Sequence, residues 1–123
     1  MTDVTVDELA GRLGEPGLVL LDVRRPEEFA GHLTAPCDPR PGRIPGARNV
    51  DVTVLLGAGD DAAVRELVGE PVGAEVIAYC HSGSRSALAV QVLAAAGYAA
   101  RNYVGSWHEW SRDPELPAET DPR

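Results

Sequence analysis

Residues 75–86 read Glu75-Val76-Ile77-Ala78-Tyr79-Cys80-His81-Ser82-Gly83-Ser84-Arg85-Ser86 and carry the strongest structural signal in the sequence. The first five residues predict a strand that runs directly into Cys80. Small residues follow, and the alanine-rich segment from Ser86 to Ala96, stopped by Gly97, predicts a helix. The segment therefore predicts a strand, a short loop and a helix, with a cysteine where the strand ends.

A second strand is predicted at Leu18-Val19-Leu20-Leu21, which ends at Asp22-Val23-Arg24. A continuous apolar run without alternation is typical of a strand buried on both faces of a parallel sheet. The other predicted elements are a helix opened by a capping box at Thr5 and Glu8 and reaching about Leu13, a short helix at 26–29, a strand at 47–50, a helix at 60–68 and a strand at 101–104. The Pro- and Gly-rich residues 31–46 and the tail after Trp110 are predicted to be irregular.

Strands that alternate with helices predict an α/β fold with a mainly parallel central sheet flanked by helices. In such sheets, ligands bind beyond the carboxyl ends of the strands. Asp22, Arg24 and Cys80 all fall at such ends. We expect residues 1–123 to form a single domain, since the sequence contains no repeat and no composition change typical of a linker.

The loop after Cys80 has the residue types of an anion site. Small residues allow several backbone N–H groups to point inward, and the following helix directs its positive end at the same place. Arg85 is expected to add a full positive charge. Such sites bring a cysteine pKa from about 8.5 to roughly 3.5–7.5. Cys80 is therefore predicted to be a thiolate nucleophile, and the alternative is a purely structural cysteine at a strand end.

The sequence resembles the rhodanese-like sulfurtransferases. The likeness lies in residues 20–29, in Gly42-Arg43-Ile44-Pro45-Gly46-Ala47, in residues 80–86 and in residues 103–110, in that order. Its Pro-rich insert before residue 42 is most similar to the C-terminal, catalytic half of tandem thiosulfate and 3-mercaptopyruvate sulfurtransferases. The resemblance implies a three-layer α/β domain in which Cys80 carries sulfur as a persulfide.

The resemblance also implies roles for the neighbouring residues. The substrate-binding residues would be His81, Ser82, Gly83, Ser84, Arg85, Ser86 and Arg24, with Asp22 in support. Arg24 is open to two interpretations, a structural pair with Asp22 or Glu28 and a part in shaping the anion site. The chain departs from the family at Arg43, where a His is usual, and at Glu28 and Ala30, where tandem enzymes often have arginines. These last changes put efficient use of the usual donors in doubt.

The expected reaction moves a sulfane sulfur from thiosulfate, or from 3-mercaptopyruvate, to a thiol, cyanide or protein acceptor. One alternative is a non-catalytic regulatory module or a carrier fed by a protein persulfide. Another is a Cys-loop phosphatase or arsenate reductase, whose loop has five residues between cysteine and arginine where this sequence has four. No organic cofactor is expected, and a homodimer is possible.

Bulk composition narrows these alternatives. The net charge of −8 argues against a nucleic-acid partner, which would require a basic face. No apolar run is long enough for a membrane span, and residues 1–3 do not resemble a signal peptide, so a cytoplasmic protein with reduced cysteines is expected. The two cysteines and three scattered histidines predict no zinc site. Cys37 is either a resolving thiol for Cys80 or an incidental loop residue.

Overall fold

The computed structural model describes residues 3–122. Within that range the strands form one parallel sheet in the order β2-β1-β3-β4. The strands are β1 (Leu18–Asp22), β2 (Arg48–Asn49), β3 (Glu75–Tyr79) and β4 (Ala99–Asn102). The predicted strand at residues 75–79 is confirmed, whereas β4 begins and ends two residues before the predicted one. The parallel sheet and the α/β class are both confirmed.

The helices are α1 (Val6–Gly11), α2 (Pro26–Ala30), α3 (Val52–Leu56), α4 (Asp61–Val68), α5 (Ser84–Ala95) and α6 (Ser106–Trp110). Side-chain caps fix several helix starts, since Thr5 accepts from the Glu8 N–H and Asp60 accepts from the Ala63 N–H. Helix α5 starts at Ser84, two residues earlier than predicted. The sequence did not predict α3 and α6, which have five residues each.

Alternate residues of the central strands face two separate apolar layers. Val19 and Leu21 of β1 pack with residues of α3, α4 and α5 on one face of the sheet. Leu20, between them, packs on the other face with Leu9 of α1 and Trp107 of α6. The single apolar run of β1 is explained by this arrangement, because both faces of the strand are covered. The domain therefore has three layers, with the sheet in the middle.

The irregular segment 31–46 is held in place by long-range contacts. The guanidinium of Arg40 donates to the carbonyl oxygens of Trp110, Ser111, Asp113 and Leu116 at 2.9–3.2 Å. Arg43 and Glu119 exchange backbone hydrogen bonds of 2.9 and 3.0 Å. The segment is thus fastened to the tail that follows α6. Among residues 3–122, no helix is long and apolar enough to span a membrane.

Candidate active site

Cys80 directly follows β3 at the carboxyl edge of the sheet and is 1% exposed. Two residues of α6 hold its backbone by hydrogen bonds. The Trp107 N–H donates to the Cys80 carbonyl at 3.0 Å, and the Cys80 N–H donates to Ser106 Oγ at 3.1 Å. The start of α6 therefore sets the position from which the Cys80 side chain projects.

Hydrogen-bond donors converge on the sulfur of Cys80. The Gly83 N–H lies 3.1 Å from Cys80 Sγ, the Ser86 N–H lies 3.4 Å away, and Ser86 Oγ lies 3.3 Å away. These groups belong to the loop and to the first turn of the twelve-residue helix α5, whose positive end faces the sulfur. We call this arrangement, Cys80 to Ser86, the cradle. The predicted anion nest around Cys80 is thus present.

The cradle changes the acidity of the thiol. Burial raises the pKa of Cys80, but hydrogen bonds from the Ser86 side chain and from the backbone N–H groups of Ser86, Gly83 and Ser82 outweigh it. The pKa of Cys80 is therefore lowered from its ordinary value. The hydroxyl of Ser86 also lies 3.2 Å from the Gly83 carbonyl. It has a single proton, so it must turn that proton from Gly83 to the sulfur in order to stabilise a thiolate.

Gly83 is the residue that lets the loop close around the sulfur. Its φ is +100°, and a Cβ at this position would lie 2.8 Å from the Val104 carbonyl oxygen. Both the backbone conformation and the close approach exclude a larger residue. The carbonyl of Gly83 accepts from Asn102 Nδ2 at 3.2 Å, which ties the loop to the end of β4. The glycine of the predicted motif is therefore required by local geometry.

Arg85 requires a correction to the sequence prediction. It was expected to give the cradle a full positive charge, but its guanidinium forms two hydrogen bonds with Glu28 of α2, at 2.9 and 3.3 Å. Burial raises the pKa of Glu28, and the bonds from Arg85 and from the Arg25 N–H outweigh it, so Glu28 is held as a carboxylate. Glu28 thus compensates part of the charge of Arg85, which still interacts with Cys80. Backbone N–H groups and Ser86 therefore do most of the work of stabilising the Cys80 thiolate.

Arg24 and Asp22 form a second, more buried ion pair. Two guanidinium nitrogens of Arg24 lie 2.7–3.1 Å from the Asp22 carboxylate, and Nη2 also donates to the Gly42 carbonyl at 2.6 Å. The guanidinium packs over Trp107, 5.3 Å from the ring centroid. The guanidinium of Arg24 is thus fully engaged by Asp22, Gly42 and Trp107, with 3% of its side chain exposed. This geometry favours the structural interpretation of Arg24 over a part in binding the donor.

The remaining loop residues lie at the outer side of the cradle. Ser82 and Ser84 are exposed. The imidazole of His81 is turned to Asp38, with Nε2 2.9 Å from Oδ2. His81 thus contacts the 31–46 segment, a contact that the sequence did not indicate.

Sequence reasoning missed Ser106 as a site residue. Its hydroxyl accepts from the Cys80 N–H, lies 2.8 Å from the Tyr103 carbonyl and is 4.0 Å from Cys80 Sγ. Its φ of +55° is strained for a residue with a side chain. A signal was available, because Ser106 lies inside the closing motif at residues 103–110. Trp107 and Trp110 of the same motif are buried.

Comparisons with known proteins were consistent with one another. A family model described as "Rhodanese-like domain" matches residues 5–113. A Pseudomonas aeruginosa protein named "Probable 3-mercaptopyruvate sulfurtransferase" is 39% identical over 122 residues, covering 91% of this chain and 42% of that protein. A thiosulfate sulfurtransferase from the same organism is 36% identical over 123 residues, covering 94% of this chain and 45% of that protein.

Among solved structures, a crystal structure described as a probable thiosulfate sulfurtransferase is 48% identical, with a TM-score of 0.81. The match covers 95% of this chain and 47% of that one. The chain thus spans less than half the length of each of these three proteins. The two Pseudomonas relatives carry the names of different sulfur donors.

Proposed function

We propose that this chain, which belongs to the rhodanese-like domain family, is a sulfurtransferase that holds the transferred sulfur as a persulfide on Cys80. The observation that supports it most is the convergence of the Gly83 N–H, the Ser86 N–H and Ser86 Oγ on Cys80 Sγ within 3.4 Å. These donors stabilise the thiolate that attacks a donor. They also lie where a developing negative charge on sulfur requires stabilisation.

The proposed first half-reaction uses thiosulfate. The Cys80 thiolate attacks the outer sulfur of thiosulfate, a new S–S bond forms, and the old S–S bond breaks with its electron pair leaving on sulfite. In the second half-reaction, cyanide or a thiolate attacks the terminal sulfur of the persulfide. The electron pair of the broken bond returns to Cys80 as thiolate. No general base is required, because the nucleophile enters already deprotonated.

The spacing of the loop supports sulfur rather than phosphate as the transferred group. Four residues separate Cys80 from Arg85, and Arg85 is bound to Glu28. A phosphatase would need this arginine to bind two oxygens of a tetrahedral anion. Because the arginine is already paired, the arrangement suits transfer of a single sulfur atom better than transfer of a phosphoryl group.

The pairing of Arg85 also supports a second candidate, a carrier that receives its sulfur from a protein persulfide. Glu28 is already paired with the arginine that a small dianion would need. Its carboxylate, 16% exposed, also lies beside the cradle. Entry of thiosulfate must overcome this negative charge. A protein donor, by contrast, makes contacts over a wider surface and depends less on one arginine.

Intact mass measurement tests both candidates. The purified protein is incubated with thiosulfate, and in parallel with 3-mercaptopyruvate, beside a Cys80→Ser control. A gain of one sulfur atom, absent from the control and removed by cyanide or a thiol, is the result expected for a sulfurtransferase fed by a small donor. No gain from either small donor, with gain from a persulfidated cysteine desulfurase, would support the protein-fed carrier. Turnover of p-nitrophenyl phosphate with no sulfur gain from any donor would overturn the proposal.

A further inference from the structure

A second cluster of reactive side chains includes one residue of the cradle, His81, and takes no part in the proposed reaction. Cys37 and Asp38 come from the 31–46 segment, His81 comes from the loop after β3, and His108 comes from α6. One ligand atom from each of the four side chains lies within 4.8 Å of all the others. We call this group the Cys–Asp–His–His cluster. The expectation that the histidines are scattered is wrong for His81 and His108.

The cluster is organised around the carboxylate of Asp38. That side chain is 2% exposed, with Oδ2 2.9 Å from His81 Nε2 and Oδ1 3.5 Å from His108 Nδ1. Cys37 Sγ lies 3.9 Å from His81 Nε2 and 3.8 Å from Asp38 Oδ1. A buried carboxylate is costly unless a cation or strong donors compensate it. Here its closest partners are two imidazoles and a thiol, which are side-chain types that commonly bind zinc.

The backbone holds three of the four ligands in a fixed frame. The His108 N–H donates to the His81 carbonyl at 2.9 Å, so the two histidines are anchored to each other through the main chain. Their rings meet edge to face with centroids 5.5 Å apart. The Asp38 N–H donates to the Ala35 carbonyl at 2.9 Å, which closes the turn that carries Cys37 and Asp38. The approach of the four side chains is thus supported by ordered backbone from three parts of the chain.

We propose that the Cys–Asp–His–His cluster binds one Zn²⁺ ion. A tetrahedral zinc ion with bonds of about 2.0–2.3 Å requires its ligand atoms to be roughly 3.3–3.8 Å from one another. The contacts within the cluster range from 2.9 to 3.9 Å, and one ligand atom from each residue lies within 4.8 Å of the others, so the side chains would move by up to about 1 Å to meet the ion. One thiolate, one carboxylate and two neutral imidazoles cancel the charge of a divalent ion. Binding releases the thiol proton of Cys37 to solvent, with no oxidant or reductant involved.

Among residues 3–122, the guanidinium of Arg112 lies close to the cluster and opposes the ion. Its Nη2 lies 3.4 Å from His108 Nδ1 and donates to the Cys37 carbonyl at 2.6 Å. The residue is exposed, so its side chain can leave for solvent when the ion binds. Replacing it should therefore tighten zinc binding. This sign is useful, because a site that merely attracted cations through general surface charge would gain much less.

Cobalt and zinc titrations of a Cys80→Ser protein test the inference without any activity measurement, so their failure is distinct from failure of the proposed sulfur transfer. The Cys80→Ser background removes the one other thiol that could bind metal. Reduced, metal-free protein is titrated with Co²⁺ in the spectrophotometer and with Zn²⁺ in competition with a chelating dye. We expect one ion per chain, a thiolate-to-cobalt charge-transfer band and the intense visible bands of a tetrahedral ion.

Three further variants in the same background locate the site. Cys37→Ser should abolish the charge-transfer band, and His108→Gln should weaken Zn²⁺ binding by at least about 100-fold, more than loss of an outer-shell partner costs. His32→Gln is the matched control, since His32 contacts the Asp121 carbonyl and lies outside the cluster. It should leave the binding constant unchanged. Arg112→Gln should raise the affinity.

The outcomes that would overturn the inference are equally definite. Absence of stoichiometric Zn²⁺ binding in the Cys80→Ser protein would do so, as would a cobalt spectrum of an octahedral ion without a thiolate band. Equal binding by the Cys37→Ser, His108→Gln and His32→Gln proteins would place the ion elsewhere. Thermal unfolding of each metal-free variant separates loss of a ligand from loss of the fold.

Discussion

The carboxyl ends of β1 and β3 lie side by side, and they use their polar groups in opposite ways. At the end of β1, Arg24 and Asp22 satisfy each other, with 3% and 0% of their side chains exposed. At the end of β3, backbone N–H groups and Ser86 converge on a single sulfur atom. At the end of β1 the two charges satisfy each other. At the end of β3 the donors stabilise a sulfur atom that can still react.

This difference teaches how one sheet edge supports both stability and chemistry. The Arg24–Asp22 pair fixes the turn after β1 and holds the Gly42 region. The cradle takes its charge stabilisation from the main chain, which needs no rearrangement during reaction. Glu28 and Arg85 connect the two ends, since Glu28 follows β1 in the chain and Arg85 follows β3.

Replacing Arg24 should have the largest effect. Arg24→Ala leaves the Asp22 carboxylate buried without its cation, and we expect a loss of about 3–5 kcal/mol in the free energy of unfolding. Urea unfolding followed by circular dichroism measures it. The double variant Asp22→Asn/Arg24→Met removes both charges and should recover most of the loss. A loss below about 1 kcal/mol in the single variant would show that the end of β1 is not closed in this way.

Gly83→Ala should come next, because it alters the cradle directly. The strained φ should cost about 1–3 kcal/mol, and the contact with the Val104 carbonyl should add to it and displace the loop from Cys80. Gly17→Ala is the matched control, since Gly17 also has positive φ but open space around its Cβ position. Urea unfolding and the rate of persulfide formation are measured for both. Equal rates of persulfide formation in the two variants would contradict the role assigned to Gly83.

Ser86→Ala tests whether side-chain and backbone donors share the work at the sulfur. Loss of one hydrogen bond to a charged group should cost about 1.5–3 kcal/mol, which corresponds to a fall of about tenfold or more in the ratio of thiolate to thiol. The rate of Cys80 alkylation by iodoacetamide at neutral pH, in the presence of a chelator, measures it. Ser84→Ala is the control, because Ser84 is exposed on the same helical turn. An unchanged rate in Ser86→Ala would show that the backbone N–H groups alone stabilise the Cys80 thiolate.

Glu28→Gln should have the smallest effect on stability. Unlike the variants of the cradle, it should increase activity with thiosulfate. It removes the carboxylate that holds Arg85, so we expect kcat/KM for thiosulfate to rise several-fold, with a loss of stability below about 1 kcal/mol. The pKa of Glu28 is lowered in the folded protein. Its stabilising contribution is therefore present above the unfolded pKa of about 4.3 and is lost as the pH falls through the folded value.

The stability difference between wild type and Glu28→Gln should accordingly shrink between pH 6 and pH 3, roughly the range over which a lowered carboxyl pKa acts. Urea unfolding at several pH values measures it. A difference that grew on acidification would contradict the sign. A fall in kcat/KM for thiosulfate would indicate that Glu28 orients Arg85 toward the donor, and does not prevent Arg85 from binding it.

The sequence predicted those features that depend on neighbouring residues. The strand at residues 75–79, the loop after Cys80 and the N-cap at Thr5 follow from local pattern and capping chemistry. The family resemblance indicated by the motifs is confirmed by the match over residues 5–113. The short helix α6 escaped prediction because its burial against the sheet, rather than helix propensity, stabilises it.

Features that depend on distant residues were not predictable. Arg85 and Glu28 are 57 positions apart, and Cys37 and His81 are 44 apart. No periodicity or spacing links such residues, and only the path of the chain brings them together. The sequence therefore indicated that Arg85 lies at the cradle, but it did not indicate which carboxylate would take up its charge.

The four bonds from the Arg40 guanidinium join residues that are 70–76 positions apart in the chain. Such bonds form and break together, since one planar group makes all of them. Segment 31–46 and the tail after α6 should consequently open as one cooperative unit in native-state hydrogen exchange, with nearly equal opening free energies. A contact that opens the tail would then also open segment 31–46 and change the surroundings of Cys37.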